Sequence, residues 1–183
     1  MTIITAISSD SGIFIGYNDG AELGGTPVRG TSTPWILFGA WALGITGESS
    51  VQRLLQNELR DYSGGDDSNE LISHINNILV ENGIGSKSDT EYVTTFGIYA
   101  ILVHKTGRIW DVSGCLSLTE MPRGLLWAQG SGADYAMGAR YAINVLHPEI
   151  TDERAMLICI ESAIENDIHC VGSAKIQRWE PLS

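Results

Sequence analysis

Alternating apolar patterns divide the first sixty residues into strands and one helix. The segments Ile3 to Ile7 and Gly12 to Tyr17 are rich in β-branched residues and flank a polar turn, which predicts two paired strands. Residues 19–30 are rich in glycine and predict a loop with a short strand. The nearly continuous apolar run from Trp35 to Ile45 predicts one strand that is buried on both faces. Apolar residues at helical spacing then predict an amphipathic helix; they are Val51, Leu54, Leu55 and Leu59.

A second helix is predicted from about Asp67 to Gly83. Asp67 and Glu70 have the spacing of a capping box, in which side chains satisfy the free N–H groups of the first turn. The apolar residues of this segment recur on one helical face, and Asn82-Gly83 is a typical helix end. The two predicted helices therefore follow one another directly and share one side of the molecule.

The second half of the chain repeats this order of strands and then helices. Strand character at 92–104 and at 108–112 on either side of Lys105-Thr106-Gly107 predicts a hairpin, and 125–128 predicts a short strand. Helices are predicted from Ala133 to Leu146 and after Thr151, which has the position of an N-cap, and the last strand is predicted from Cys170 to Trp179. Helices segregated from mostly antiparallel strands predict a single α+β domain over residues 1–183, with two sheets between two helix layers in αββα order.

Composition narrows the classes of function. The net charge is −11 and the 11 Lys and Arg residues form no cluster, which argues against a nucleic-acid partner. We expect no membrane partner, because no apolar run is long enough to span a bilayer and no signal peptide precedes the first strand. Three widely spaced cysteines favour a reducing, cytoplasmic location. The four histidines lack metal-ligand spacing, so we expect neither a metal nor a cofactor.

Thr2 is the first residue with candidate chemistry. Removal of Met1 would leave a threonine with a free α-amine at the start of a strand. A hydroxyl and an amine on one residue form a nucleophile with its own base. The alternative is that Thr2 is an ordinary strand residue, since threonine favours strands.

Five segments, in this order and spacing, resemble the proteasome β-subunit family across nearly the whole chain. The chain is most similar to the bacterial member of that family, the heat-shock-locus peptidase that forms double rings. The α-subunits of the family carry an extra helix before the first strand, which this chain lacks. The segments are Thr2, Asn18-Asp19-Gly20, Leu43-Gly44-Ile45-Thr46-Gly47, Gly130-Ser131-Gly132-Ala133-Asp134-Tyr135-Ala136 and Asp167-Ile168-His169-Cys170-Val171-Gly172.

The resemblance implies hydrolysis of peptide bonds by an N-terminal nucleophile. Thr2 Oγ would attack the scissile carbonyl while its amine accepts the proton, and the N–H of Gly47 would stabilise the oxyanion. Ser131, Asp167 and Cys170, at a position where the family usually has serine, would form hydrogen bonds around the amine. Each of these three also has a purely structural interpretation: Ser131 in a tight turn, Asp167 at a helix end and Cys170 as a small core residue.

Two charged residues of the family pattern are absent. The lysine that lowers the pKa of the amine falls on Thr33 or Pro34, and its aspartate partner falls on Asn18, or on Asp19 if the register shifts by one. Loss of both is self-consistent, because a lone buried charge would be costly. An α-amine has a pKa of roughly 7.7–8.0 without help, so activity is weakened in principle but still feasible near pH 7. Arg29 is the nearest cation by sequence; it either substitutes in part or lies on the surface.

Two hypotheses of different class follow. The first is a threonine peptidase in a self-assembled ring, with an unfolded protein or peptide as substrate and an ATPase unfoldase as partner. The second is a catalytically silent homologue that acts as a scaffold or binding ring. The resemblance also predicts that ring contacts run through the helices at Ser49–Tyr62 and Asp67–Gly83.

Overall fold

The computed structural model describes residues 2–23, 26–29, 33–85 and 94–180, and at 21–23 and 26–29 it describes the backbone alone. The strands are β1 Ile3–Ser9, β2 Gly12–Asn18, β3 Gly20–Leu23, β4 Thr26–Arg29, β5 Trp35–Phe38, β6 Trp41–Thr46, β7 Tyr99–His104, β8 Ile109–Val112, β9 Leu118–Met121, β10 Trp127–Gly130 and β11 Ala174–Arg178. The helices are α1 Ser49–Glu58, α2 Ser68–Glu81, α3 Ala133–Leu146 and α4 Asp152–Asn166.

Two antiparallel sheets form the centre of the molecule. The first sheet has the strand order β10-β1-β2-β11, and the second has the order β5-β6-β7-β8-β9. Strands β3 and β4 form a separate hairpin. Apolar residues of α3 and α4 pack on the outer face of the first sheet, and those of α1 and α2 pack on the second. The predicted αββα sandwich is therefore confirmed.

The inner faces of the two sheets form a third core. Its buried members come from both sheets; they are Ile4, Ala6, Ile15, Trp35, Ala42, Ile101, Val103, Ile109 and Trp179. Polar groups also join the sheets here. Trp35 Nε1 donates to the carbonyl of Gly16 at 3.2 Å. Asp111 on β8 accepts hydrogen bonds from Trp127 and Gln129 on β10.

Strand β1 is buried on both faces. Every residue from Ile3 to Ile7 is fully buried. Ile3 and Ile7 pack against α3 and α4, whereas Ile4 and Ala6 point into the space between the sheets. This division follows from the alternation of side chains along a strand.

The predicted N-caps of α2 and α4 are confirmed. Asp67 Oδ1 accepts from the backbone N–H of Asn69 at 2.8 Å, and Thr151 Oγ1 accepts from that of Arg154 at 3.4 Å. Each satisfies a backbone donor that has no partner within the helix. Asp152 and Glu153 also place negative charge at the positive end of α4.

The single strand predicted from Trp35 to Ile45 was wrong. The segment forms two strands, β5 and β6, which pair through a turn at Gly39 and Ala40. Gly39 has φ +50°, a conformation that favours glycine. Both strands are almost fully buried, so the apolar pattern of the sequence continues through the turn and hides it.

Other strand boundaries also differ from the prediction. Strand β9 was not predicted. Its side chains are partly exposed and include Thr119 and Glu120, so it lacks a clear apolar pattern. The last strand begins at Ala174 rather than Cys170, since the preceding residues form a turn. The strand predicted at 92–104 begins at Tyr99; residues 92 and 93 lie outside the described residues.

Replacement of Gly44 by alanine tests the packing between the sheets. A Cβ at Gly44 would lie 2.9 Å from three ring atoms of Trp35, which is only 3% exposed. We expect Gly44→Ala to lower the free energy of unfolding in urea by about 1–3 kcal/mol, because the buried ring must shift. Gly138→Ala is the matched control: its Cβ would meet nothing within 4 Å, so stability is kept or rises by up to about 1 kcal/mol. Equal stability of Gly44→Ala and the wild type would contradict this packing.

Candidate active site

Thr2 directly precedes β1 and is half-buried. The next residue, Ile3, pairs with Gly130 on β10, so Ser131 lies across from Thr2. The two backbones touch here, because a Cβ on Gly130 would overlap the carbonyl of Thr2. Gly130 also has φ +109°, and both observations explain why only glycine fits. The end of β10 thus brings Ser131 to Thr2.

Cys170 and Asp167 extend this cluster from the loop after α4. The thiol of Cys170 donates to Asp167 Oδ2 at 3.2 Å, and Ser131 Oγ lies 3.7 Å from Cys170 Sγ. A tight turn holds the loop in place. The N–H of Cys170 donates to the carbonyl of Asp167, and the N–H of His169 donates to its carboxylate, both at 3.0 Å. Three of the residues predicted to surround the amine are therefore in contact with one another.

The cluster has one anion and one neutral thiol. Burial by itself would raise the pKa of Asp167, but hydrogen bonds from the Ser131 hydroxyl, the His169 N–H and the Cys170 thiol lower it below its usual value. Burial raises the pKa of Cys170 to about 11, so the thiol is protonated and serves as a donor at neutral pH. The thiol of Cys170 is therefore a hydrogen-bond donor within the cluster.

Gly47 lies at the same end of the sandwich as Thr2. The opposite end is marked by Ser8, late in β1, which lies against Gly107 in the turn between β7 and β8. Strand β6 starts at that opposite end, where Trp41 pairs with His104, and it runs away from the turn to finish just before Gly47. The start of β1 and the end of β6 therefore lie at the same end of the sandwich.

The backbone at Gly47 needs a glycine. Its φ is +125°, and a Cβ there would lie 2.8 Å from the carbonyl of Gly97. An open cavity of about 360 Å³ borders this turn, and its lining includes Glu48, Val51 and Phe96. Gly47, Thr2 and Ser131 are not among the residues that line this cavity.

Asn18 connects the start of β1 to the loop after α4 through hydrogen bonds. Its Oδ1 accepts from the N–H of Ile3 at 2.7 Å, and its Nδ2 donates to the carbonyls of Val171 at 2.7 Å and Gly20 at 3.2 Å. Ile3 follows Thr2, and Val171 follows Cys170, so this buried amide joins the start of β1 to the loop after α4. A carboxylate at this position would have no donor for the two carbonyls.

Asp19, the alternative position for the family aspartate, is directed elsewhere. Its carboxylate accepts from the N–H of Ser173 at 2.7 Å and lies 3.3 Å from the ammonium of Lys175 on β11. Asn18, rather than Asp19, is thus the residue bonded next to Thr2.

The two residues at which the family lysine falls, Thr33 and Pro34, directly precede β5. Thr33 Oγ1 accepts from the N–H of Trp35 at 3.1 Å, and the carbonyl of Pro34 accepts from the N–H of Ile45 at 3.0 Å. Both residues therefore serve the local backbone. The side chain of Arg29, the other candidate cation, lies outside the described residues.

The hydrogen bonds between Asn18 and backbone groups at this site were not predicted from the sequence. The carbonyls of Val171 and Gly20 and the N–H of Ile3 determine why residue 18 is an amide. The only signal in the sequence was an asparagine where the family has aspartate. Across the described ranges, no three His, Cys, Asp or Glu side chains are grouped as a metal site requires, and no helix is long and apolar enough to cross a membrane.

Asn18→Asp tests whether the buried amide fastens the site. We expect the free energy of unfolding at pH 7 to fall by about 1–3 kcal/mol, because the change removes a donor from two buried carbonyls. Burial and these carbonyls disfavour the charged form, so the pKa of the introduced carboxyl is raised in the folded state. The loss therefore shrinks as the pH falls through that pKa. Asn77→Asp, at an exposed amide in the second half of α2 and before its last turn, is the control and should change stability by less than about 0.5 kcal/mol. A loss that stays constant between pH 7 and 4 would contradict the interpretation.

Asp167→Asn tests the anion of the cluster. Because the pKa of Asp167 is lowered on folding, its contribution to stability is present above the unfolded value of about 3.9 and is lost as the pH falls below it. We expect the variant to be less stable than the wild type at pH 7 and the difference to disappear towards pH 2–3 in urea titrations. Asp10→Asn, at a fully exposed carboxylate, is the control and should change less. A difference that grows on acidification would rule out this assignment.

The fold of this chain is similar to that of solved structures, whereas its sequence has no match among family models or curated proteins. BPH from Thiobacillus denitrificans in complex with epoxomicin superposes with a TM-score of 0.77 at 18% identity, over 99% of this chain and 100% of that chain. BPH without that ligand gives a TM-score of 0.78 at the same identity and coverage. Eukaryotic HslV from Trypanosoma brucei gives 0.63 at 13% identity, over 96% and 97% of the two chains. The chain therefore has a proteasome-like fold of the HslV type.

Proposed function

We propose that this protein is an N-terminal threonine hydrolase, in which removal of Met1 exposes Thr2 as the nucleophile. The observation that supports the proposal is the contact between the backbones of Thr2 and Gly130. Ser131 follows Gly130, and it contacts Cys170 and Asp167. A plain strand start needs no such cluster of polar side chains.

The proposed reaction uses Thr2 as both nucleophile and base. Thr2 Oγ attacks the substrate carbonyl while the α-amine takes its proton, and the resulting oxyanion binds the N–H of Gly47. Collapse of this intermediate breaks the scissile bond, and the ammonium returns the proton to the leaving amine. Water then attacks the Thr2 ester and passes a proton to the amine. The amine returns this proton to Thr2 Oγ as the ester bond breaks, so the acid is released and Thr2 is regenerated.

Asp167 and its partners would orient the amine. An ionised carboxylate and neighbouring hydroxyl and thiol groups are suited to hold an α-amine in position. Asp167 also favours the protonated amine when the two lie close together, since an opposite charge stabilises an ammonium. Without a lysine to counter this effect, the amine keeps a pKa near its ordinary range of roughly 7.7–8.0 or above. We therefore propose a slow enzyme whose rate rises with pH through that range.

Peptides are the proposed substrate class. The fold is that of HslV, and one structure with this fold, BPH, is complexed with epoxomicin. We further propose that copies of the chain assemble into a ring and that an ATPase delivers unfolded protein to it.

A silent homologue that serves as a scaffold is the second candidate. The observation in its favour is the amide of Asn18, whose three hydrogen bonds all go to backbone atoms where the family has a charged residue. Thr33 and Pro34 likewise form hydrogen bonds with backbone N–H groups, and the carbonyl of Thr33 also accepts from the side chain of Gln52 at 2.8 Å. A site that has lost both charges is consistent with selection for folding alone.

Mass spectrometry and labelling separate the two candidates. The hydrolase proposal predicts a purified chain without Met1, and covalent addition of epoxomicin to Thr2 that increases between pH 6 and 8.5. Thr2→Ala should abolish the addition. Ser131→Ala, whose only proposed part is to orient the amine, should slow the addition by tenfold or more without preventing it.

Two outcomes would overturn the hydrolase. Retention of Met1 leaves no free threonine amine. A processed wild type that stays unlabelled, while its circular dichroism and thermal unfolding show a folded protein, would support the scaffold.

A further inference from the structure

A polar contact joins the two sheets inside a core that is otherwise apolar. Asp111 lies on β8 of the second sheet, and its Oδ1 accepts from Trp127 Nε1 at 3.0 Å and from Gln129 Nε2, both on β10 of the first sheet. We call this contact the Asp111 link. Ile109, two residues earlier on β8, is a member of the apolar core between the sheets, so it shares a face of the strand with Asp111.

Stability alone does not explain a carboxyl group at this place. A polar group that leaves water carries a desolvation cost, which an apolar side chain such as Ile109 does not have. Asp111 is half-buried, and it faces an apolar core. Its hydrogen bonds add direction, because they hold for one separation and one orientation of donor and acceptor, whereas the hydrophobic effect is non-directional. The Asp111 link therefore determines how β8 and β10 lie relative to each other.

On the first sheet, the Asp111 link lies close to the candidate nucleophile. Gln129 pairs with Ile4, two residues after Thr2. Strand β10 then leads to Ser131, two residues after Gln129. An extended strand rises about 3.3 Å per residue, so the link lies roughly 7 Å from Thr2 and from Ser131 along their strands.

On the second sheet, the Asp111 link lies at the level of the strand that leads to Gly47. Asp111 pairs with Ile101 on β7, and Ile101 pairs with Gly44 on β6. Gly44 precedes Gly47 by three residues, which is roughly 10 Å along an extended chain. The link is therefore a polar connection between the sheet that follows Thr2 and the sheet that precedes Gly47, near the end of the sandwich where both residues lie.

The proposed reaction requires a fixed separation of the two sheets. Thr2 Oγ and the N–H of Gly47 must reach the same carbonyl group, yet they are attached to different sheets. A donor stabilises an oxyanion when it lies about 2.7–3.1 Å from the position of that oxygen. A displacement of about 1 Å at the reacting atoms can slow a reaction by roughly a hundredfold. Sliding of one sheet over the other would thus separate the nucleophile from its oxyanion donor.

We propose that Asp111 is a positioning residue for the hydrolysis, because it fixes the sheet that carries Thr2 against the sheet that carries Gly47. The inference rests on the proposed function, and it adds a residue that lies outside the polar cluster of Ser131, Asp167 and Cys170. Asp111 acts through its two donors on β10 rather than by contact with the substrate.

Two substitutions of Asp111 test this role in the full chain. Asp111→Leu keeps a side chain of similar size but leaves both donors on β10 without their acceptor. We expect the limiting rate of epoxomicin addition to Thr2, at saturating epoxomicin, to fall by about tenfold or more, while the concentration for half-saturation changes little. Asp111→Asn retains an Oδ1 acceptor for both donors and should keep the limiting rate within about threefold of the wild-type value.

Ile109→Ala is the matched control. Ile109 lies on the same face of β8, but it pairs with Val103 and Met121, towards the opposite end of the sandwich. The variant should be less stable, because it leaves a cavity in the core between the sheets. At a temperature where thermal unfolding shows all variants to be folded, its limiting rate should stay within about twofold of the wild-type value. An equal slowing by Ile109→Ala would show that Asp111 serves stability alone and would overturn the inference.

Hydrogen exchange followed by mass spectrometry tests the Asp111 link without any activity. In Asp111→Leu, the backbone N–H groups of residues 2–4 and 127–131 should exchange faster than in the wild type, because the end of β10 is no longer held against the second sheet. Asp111→Asn should exchange like the wild type. Unchanged exchange in Asp111→Leu would overturn the link itself.

The outcomes separate this inference from the proposed function. A wild type that adds no epoxomicin overturns the hydrolase, while hydrogen exchange still decides whether Asp111 fixes the end of β10. A labelled wild type together with an Asp111→Leu variant that is labelled at the same limiting rate overturns the positioning role alone.

Discussion

The burial of β1 on both faces is the constraint on which the rest of the structure depends. Its odd residues pack on α3 and α4, its even residues pack on the second sheet, and β10 and β2 bond its two edges. A shift of one residue would exchange the two sets of side chains and break both cores. The position of Thr2, just before this strand, is therefore determined by the packing of the two sheets and of the layer formed by α3 and α4.

The polar groups at the open end of the sandwich are held by hydrogen bonds rather than by a buried ion pair. The amide of Asn18 connects β1 to the loop after α4, and that loop presents Cys170 and Asp167 to Ser131. A buried ion pair must offset a desolvation cost of several kcal/mol per ion, whereas each of these hydrogen bonds contributes about 1 kcal/mol. This arrangement favours a stable site over a strongly activated amine.

The candidate site borders both helix layers, because α1 begins two residues after Gly47. Helix α3 begins two residues after Ser131, so its position affects the turn that meets Thr2.

The sequence by itself determined the four helices, most of the strands and their order, because period-two and helical apolar patterns, N-cap residues and turn glycines are local signals. It also identified Thr2, Ser131, Asp167 and Cys170 through resemblance. It could not separate β5 from β6, since a turn between two fully buried strands leaves the apolar pattern unbroken. Only the tertiary structure decided that Asn18 serves three backbone groups and that Asp19 turns to Lys175. Those partners lie up to 156 residues away along the chain, and hydrogen bonds over such separations are set by the packing of the sheets.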